Sequence, residues 1–257
     1  MDPRASAAGL LVGLLVGLTG MGAGSLMTPI LVALLHYKAK FAIGSDLAYA
    51  AIMKLFGAWQ HRRADTVNTG LCWQLALGSV PASLLGVWWS HRLEQRLGDR
   101  GEQIILHILG VMLILTAVVL VVRTIPAVES RLKRREDQPP PKRGLAWAIS
   151  IGAALGFLVG VTSIGSGALF GIALLLIFSL KPRDMVGTDI FHAALLSTAA
   201  ALGHVAAGNV NYPLVGSILI GALPGIFIGS RLSVRMPEAA LRPTLATVLL
   251  LSGLKMF

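Results

Sequence analysis

Long apolar runs separated by short polar clusters organise the whole chain. Crossing roughly 30 Å of hydrocarbon takes about 20 consecutive apolar residues in a helix. Runs of that kind fall at Ser6–Leu35, Phe41–Trp59, Leu71–Ser90, Gln103–Val122, Leu145–Leu180, Met185–Ala207, Leu214–Gly229 and Ala239–Phe257. The pattern predicts an all-α polytopic membrane protein with about eight hydrophobic segments. Residues 123–144, between the fourth and fifth runs, are rich in Lys and Arg and contain a run of three prolines. They read as a solvated linker, cytoplasmic by the positive-inside rule. The expected organisation is a first transmembrane repeat at 1–122, the linker at 123–144 and a second repeat at 145–257.

The halves are copies. Sliding the chain on itself by 143 residues, without a gap, gives about 20 identities over the 70 positions from Gly17 to Gly86. Gly17, Thr19, Gly22, Gly24 and Leu26 meet Gly160, Thr162, Gly165, Gly167 and Leu169. Lys38, Gly44, Asp46, His61, Asn68, Gly78, Pro81 and Gly86 meet Lys181, Gly187, Asp189, His204, Asn211, Gly221, Pro224 and Gly229. Chance matching of apolar helices aligns Leu with Leu, not Asp, His, Asn and Pro in one register. Internal duplication in a membrane protein points to a transporter rather than an enzyme.

The first run of each half is too long. As straight helices these runs of about 30 and 36 residues would extend roughly 45–54 Å, beyond the bilayer. Each is interrupted by glycine-rich sequence, at 19–25 and at 162–168. The expectation is a broken element, two half-helices meeting at an elbow at membrane depth. If each broken run enters and leaves on one side, Lys and Arg divide about 14 to 7 between the sides, against about 11 to 10 for eight simple crossings. Each half then makes an odd number of crossings, so inverted repeats are expected.

Composition narrows the class. The chain of 257 residues is 55% hydrophobic and only 13% charged, with 29 glycines and one cysteine. This excludes a disulfide scaffold, a disordered chain and an ordinary cytosolic enzyme. The net charge of +10 is scattered through short loops. Nucleic-acid binding would need it gathered on one face, so no nucleic-acid partner is expected.

The two elbows are the candidate binding site. Glycine allows close backbone approach and positive φ, and a helix restarting there presents free N–H groups and the positive end of its dipole. Thr19, Gly22, Gly24 and Ser25 in the first half, with Thr162, Ser163, Gly165, Ser166 and Gly167 in the second, would line a pocket for a small oxyanion. The competing reading is that the glycines serve only tight helix crossing. Asp46 and Asp189 either face the pocket or cap their helices. Lys54, replaced by Ser197 in the second copy, could neutralise Asp46, attract the anion or snorkel to the interface. His192, one turn from Asp189, and His61 and His204, which close the second helix of each half, are candidates for coupling to protons or for headgroup-level structure. Asn68 and Asn211 are expected in turns, and Pro81 and Pro224 as kinks. Cys72 is assigned no role, and no metal site or cofactor is expected.

The first elbow with its surroundings (13–29), its echo at 156–169 and the paired Gly-Ser-Asp-Leu and Gly-Thr-Asp-Ile resemble the sulfite exporter TauE/SafE family. The resemblance covers nearly the whole chain. It implies a bacterial inner-membrane permease, with members linked to export of sulfite, sulfoacetate or other small sulfur-containing anions. Members often carry three glycines at the elbow, where Ala23 and Ser166 take the middle place here. Many have Ser where Asp46 and Asp189 stand. A carboxylate near the pocket repels a dianion unless protonated or paired, which suggests proton-coupled alternating access around the central site.

Three other functions compete: an anion channel, a divalent-metal carrier using the aspartates and histidines, and an intramembrane serine protease built from Ser166 and His204. Ala23 facing Ser166 in the other copy argues against the protease. The N-terminal run looks like a signal peptide but has a copy deep in the chain, so it is expected to stay in the mature fold. The bilayer and a small anion are the expected partners, and a homodimer is compatible with the sequence.

Overall fold

The computed structural model describes residues 2–19, 26–122, 144–178, 180, 182–233 and 238–257. Every regular element among them is an α-helix. In chain order these are α1 (Pro3–Thr19), α2 (Met27–Ala33), α3 (Ala39–Arg63), α4 (Thr69–Leu97) and α5 (Asp99–Val122), then α6 (Leu145–Thr162), α7 (Ala168–Phe178), α8 (Pro182–Ala206), α9 (Tyr212–Ser233) and α10 (Glu238–Leu254). The 143-residue offset reappears in the elements. Adding it to the bounds of α3 gives those of α8, and Tyr212 opens α9 as Thr69 opens α4.

Among the described residues, six helices are long and apolar enough to cross a membrane: α3, α4, α5, α6, α8 and α9, with shorter apolar helices in α1 and α10. Their outer surfaces carry large apolar side chains such as Phe56, Trp73, Leu85, Trp88 and Phe227, about half or more exposed. A water-facing surface would not sustain so continuous an apolar belt. The chain is a multi-pass membrane protein. The second over-long run is broken as its length requires, α6 ending at Thr162 and α7 starting at Ala168. In the first, α1 and α2 flank residues 20–25, which lie outside the described residues, as does 123–143 of the linker.

The halves interlock. α1 packs on α9, α4 on α6, α3 on α8 and α5 on α10, so each large interface joins opposite halves. Gly9, Gly13 and Gly17 of α1 lie against Ile218, Ala222 and Ile226 of α9, so those helices run parallel. Gly152, Gly156 and Gly160 of α6 lie against Leu75, Ser79 and Ser83 of α4 in the same sense. α3 and α8 run antiparallel: Gly44, early in α3, meets Asn209 beyond the end of α8, and Gly187, early in α8, meets Thr66 beyond the end of α3.

Matched hydrogen bonds brace this crossing. The Asn68 N–H donates to Thr188 Oγ1 and the Asn211 N–H donates to Ser45 Oγ, each at 3.0 Å. The asparagines do more than turn the chain. Asn68 Oδ1 accepts from the Leu71 N–H and Asn211 Oδ1 from the Leu214 N–H, both at 3.1 Å, capping α4 and α9. Asp46 and Asp189 do not cap their helices, because α3 and α8 begin seven residues before them. The Ala39 N–H is instead satisfied by Glu102 Oε1 of α5 at 2.9 Å. Pro81 and Pro224 both lie inside their helices.

Close backbone contact makes the fold sensitive to single methyl groups. A Cβ at Gly156 would meet the Ser79 backbone, whereas one at Gly216 of α9 meets nothing within 4 Å. Gly156→Ala should lower the unfolding free energy in detergent by about 1–3 kcal/mol. Gly216→Ala should leave it unchanged or raise it by up to about 1 kcal/mol, since glycine is costly in a helix. Chemical denaturation of both variants, followed by tryptophan fluorescence, checks the contrast.

Candidate functional site

The break after α6 is built from hydroxyls and positive φ. Ser163 sits in the left-handed region at φ 64°, and Gly165 and Gly167 follow at φ 113° and 134°. Conformations of that kind are open to glycine and costly for a side-chain-bearing residue such as Ser163. The Ser163 N–H closes the last turn of α6 on Val159 O at 2.7 Å. Thr162 Oγ1 donates back to Leu158 O at 2.7 Å and accepts from the Ile164 N–H at 3.2 Å, so its hydroxyl serves the elbow itself. On the far side, the Gly171 N–H donates to Gly167 O at 2.8 Å and starts α7.

Two charged side chains of α3 hold the two ends of this elbow. Asp46 is fully buried, and its Oδ2 accepts from Ser163 Oγ at 2.8 Å and from Thr28 Oγ1 of α2 at 2.6 Å. Its Oδ1 has no hydrogen-bond partner among the described residues. Lys54, only 7% exposed, donates from Nζ to Ser166 Oγ at 2.6 Å, with longer contacts of 3.5 Å to Ser166 O and Ser197 Oγ. Lys54 therefore turns inward to the elbow and does not snorkel. A charged hydrogen bond in this dry setting is worth about 1.5–3 kcal/mol, roughly twice a neutral one.

Asp189 on α8 is partly exposed, and its charge acts on Lys54 together with that of Asp46. The histidines go separate ways. His192 is fully buried, with Nε2 2.8 Å from Ser79 Oγ of α4 and its ring 4.5 Å from that of Phe170 on α7. His204, 2% exposed, is no headgroup residue: its Nε2–H donates to Gly160 O at 3.1 Å and its Nδ1 accepts from Asn209 at 3.4 Å. That engagement leaves no Ser166–His204 dyad for a serine protease. His61 Nδ1 pairs with Thr66 Oγ1 at 2.9 Å near the end of α3.

The structure thus brings Ser163, Ser166, Asp46 and Lys54 together, with Thr162, Gly165 and Gly167 shaping the elbow. Gly22, Gly24, Ser25 and the side chain of Thr19 lie outside the described residues. Thr28 and Ser79 escape the sequence reading, because their copies are Gly171 and Ala222 and only matched residues stand out in a self-alignment. Tyr49 escapes too, although it occupies the register of His192 and is fully buried, with no hydrogen-bond partner for its hydroxyl among the described residues.

Known proteins share this sequence over nearly its full length. The family model described as sulfite exporter TauE/SafE matches residues 5–256. A Bacillus subtilis protein named "Probable membrane transporter protein YjnA" is 43% identical over 249 residues, covering 96% of each chain. Another from the same organism, "Probable membrane transporter protein YdhB", is 25% identical and covers 95% of each. "Probable membrane transporter protein MJ0441" of Methanocaldococcus jannaschii is 25% identical, over 96% of this chain and 92% of its own. No solved structure matches.

The Thr28–Asp46 bond is open to a direct energetic test. Thr28→Val keeps the shape and removes the hydroxyl, so it should destabilise the protein by about 1–3 kcal/mol. Combined with Asp46→Asn it should cost less than the sum of the two single changes, with a coupling of at least about 0.5 kcal/mol. A double-mutant cycle of unfolding free energies in detergent reads this out. Strict additivity would mean that the contact carries no energy.

Proposed function

Because the chain belongs to the sulfite exporter TauE/SafE family, we propose that it is a secondary transporter that exports small sulfur-containing or related organic anions, of the sulfite and sulfoacetate kind. The membrane is that of a bacterial cell, with the basic linker on the cytoplasmic side. The halves are inverted relative to each other, a reading supported by the antiparallel crossing of the equivalent helices α3 and α8. Their elbows face a shared central site, exposed alternately to either side as the halves rock or slide.

Lys54 carries this reading. A lysine buried in a membrane span is costly and needs a reason to persist. Its short hydrogen bond goes to a neutral hydroxyl, Ser166 Oγ, on a helix break. The hydroxyl orients the ammonium without cancelling its charge, and protonation of Asp46 and Asp189, whose charges act on Lys54, leaves that charge for an anion. Ser163, Ser166, Thr162 and the elbow glycines, with Thr19, Gly22, Gly24 and Ser25 from the other half, supply neutral donors. Protonation of Asp46 or Asp189 offsets the repulsion these carboxylates exert on the substrate and couples anion movement to protons.

A thermal-shift screen of the purified protein against sulfite, thiosulfate, sulfate, sulfoacetate and organic carboxylates tests the proposal. At least one sulfur oxyanion should raise the melting midpoint in a saturable way. Lys54→Met should weaken that binding roughly tenfold or more, the equivalent of one charge-assisted hydrogen bond. Binding unaffected by Lys54→Met, or stabilisation by none of these anions, would remove the basis of the reading.

A further inference from the structure

The elbow between α6 and α7 is held at two points by one helix of the opposite half. Asp46 takes its first residue, Ser163, and Lys54 takes Ser166 three residues on. Eight residues separate the two holders on α3, about 12 Å along the helix axis. Both are buried, and each grip centres on one short hydrogen bond to a hydroxyl, that of Lys54 joined by a longer 3.5 Å contact to Ser166 O. The grips answer to different ligands. An anion oxygen competes with Ser166 for the Lys54 ammonium. A proton competes for the negative charge of Asp46, and Oδ1 is the oxygen open to receive it, since both hydroxyls bond Oδ2.

We propose that this elbow is a latch that opens only when a proton sits on Asp46 and an anion sits on Lys54, so that anion and proton cross together, one for one. The inference rests on the reading of the site as an anion carrier and adds the stoichiometry and the device that enforces it. The proton enters Asp46 from water on one side and leaves to water on the other, while Lys54 keeps its charge throughout. Protonation turns Oδ2 from a carboxylate oxygen into a weaker carbonyl acceptor and loosens Ser163. Anion binding frees Ser166. With one grip intact the elbow stays in place, which blocks leakage of either species alone. A protonated Asp46 adds no charge beside a Lys54–monoanion pair, so a monoanion loads this site, where Asp189 also acts on Lys54, with less charge than a dianion would. Net movement then follows the product of the anion and proton gradients, outward from a cell loaded with the anion.

On α3, Lys54 acts on Asp46, and Asp46 acts on Tyr49. From α8, Asp189 and His192 interact with Lys54. α2 contributes the neutral Thr28, and the Glu102 of α5 is engaged by the start of α3. The second half cannot form the same latch in reverse, because Ser197 stands where Lys54 would be.

The other half supplies the test substitutions. Gly20 occupies the register of Ser163 and Ala23 that of Ser166. Ser163→Gly removes one grip and relieves a left-handed serine, and Ser166→Ala removes the other. In proteoliposomes with an entrapped pH dye and labelled sulfite, the wild type should move about one proton per anion. Ser163→Gly should keep saturable anion flux while its proton-to-anion ratio falls at least fivefold. Ser166→Ala should conduct protons without sulfite, at least fivefold above the wild-type leak. Should Ser163→Gly not yield folded protein, Asp46→Asn carries the same expectation. A wild-type ratio retained in both serine variants, or in Asp46→Asn, overturns the latch even though the carrier stands. A wild type without saturable anion flux overturns the carrier reading itself.

Discussion

Helices surrounded by hydrocarbon gain nothing by leaving water, so their association depends on how closely two backbones can approach. Among the described residues that approach is made through glycine, mostly across the two halves, with Gly101 of α5 on Leu93 of α4 as a contact within the first half. Gly78 of α4 lies on Ile149 of α6, and Gly221 of α9 lies on Ser6 of α1, the same contact 143 residues apart. Gly86 on Phe157 and Gly229 on Leu14 repeat it one step further along. These seams fix the parallel pairs α1–α9 and α4–α6. Between them the antiparallel α3 and α8 are pinned by Asn68 to Thr188 and Asn211 to Ser45. The polar side chains of α3 keep their position relative to the elbow because this frame holds them there.

The frame is symmetric and the chemistry is not. Where the two copies agree, at Gly44 and Gly187, Asn68 and Asn211, or Gly78 and Gly221, the residues cap helices or let backbones touch. Where they differ, at Lys54 and Ser197 or at Tyr49 and His192, the side chains are buried, as is Ser166, whose register in the first half is held by Ala23. Asp46 and Asp189 are the exception, identical in type and unequal in setting, one sealed among hydroxyls and the other partly open. Among the described residues, the duplicated scaffold carries two charged grips, Asp46 and Lys54, on the second elbow.

This asymmetry explains what could be read from the chain and what could not. Run lengths and the self-alignment disclosed the helical class, the duplication and the break after Thr162, since each follows from a period, a length or a matched residue. The elbow serines and Lys54 were visible as polar residues in apolar runs. Thr28 and Ser79 were hidden, because a lone hydroxyl in an apolar stretch has no periodic signature and neither has a matching copy. The N-cap alternative for Asp46 failed because the helix starts at Ala39, where a glutamate from α5, distant in sequence, satisfies the first N–H. Nor does His204 show in its sequence context that it belongs inside, since its partner Gly160 lies on another helix.

The interlocked pairing also bears on how the protein is made. The Asp2 N–H donates to Ser217 Oγ of α9, a contact spanning 215 residues, and the glycine face of α1 has no other helix of comparable fit. At ribosomal speeds of about 5–20 residues per second, α9 follows α1 into the membrane by roughly 10–40 s. During that interval α1 carries a bare glycine stripe, and α4 waits for α6 in the same way. The first half therefore gains its main glycine-mediated contacts only once its second copy has been inserted beside it.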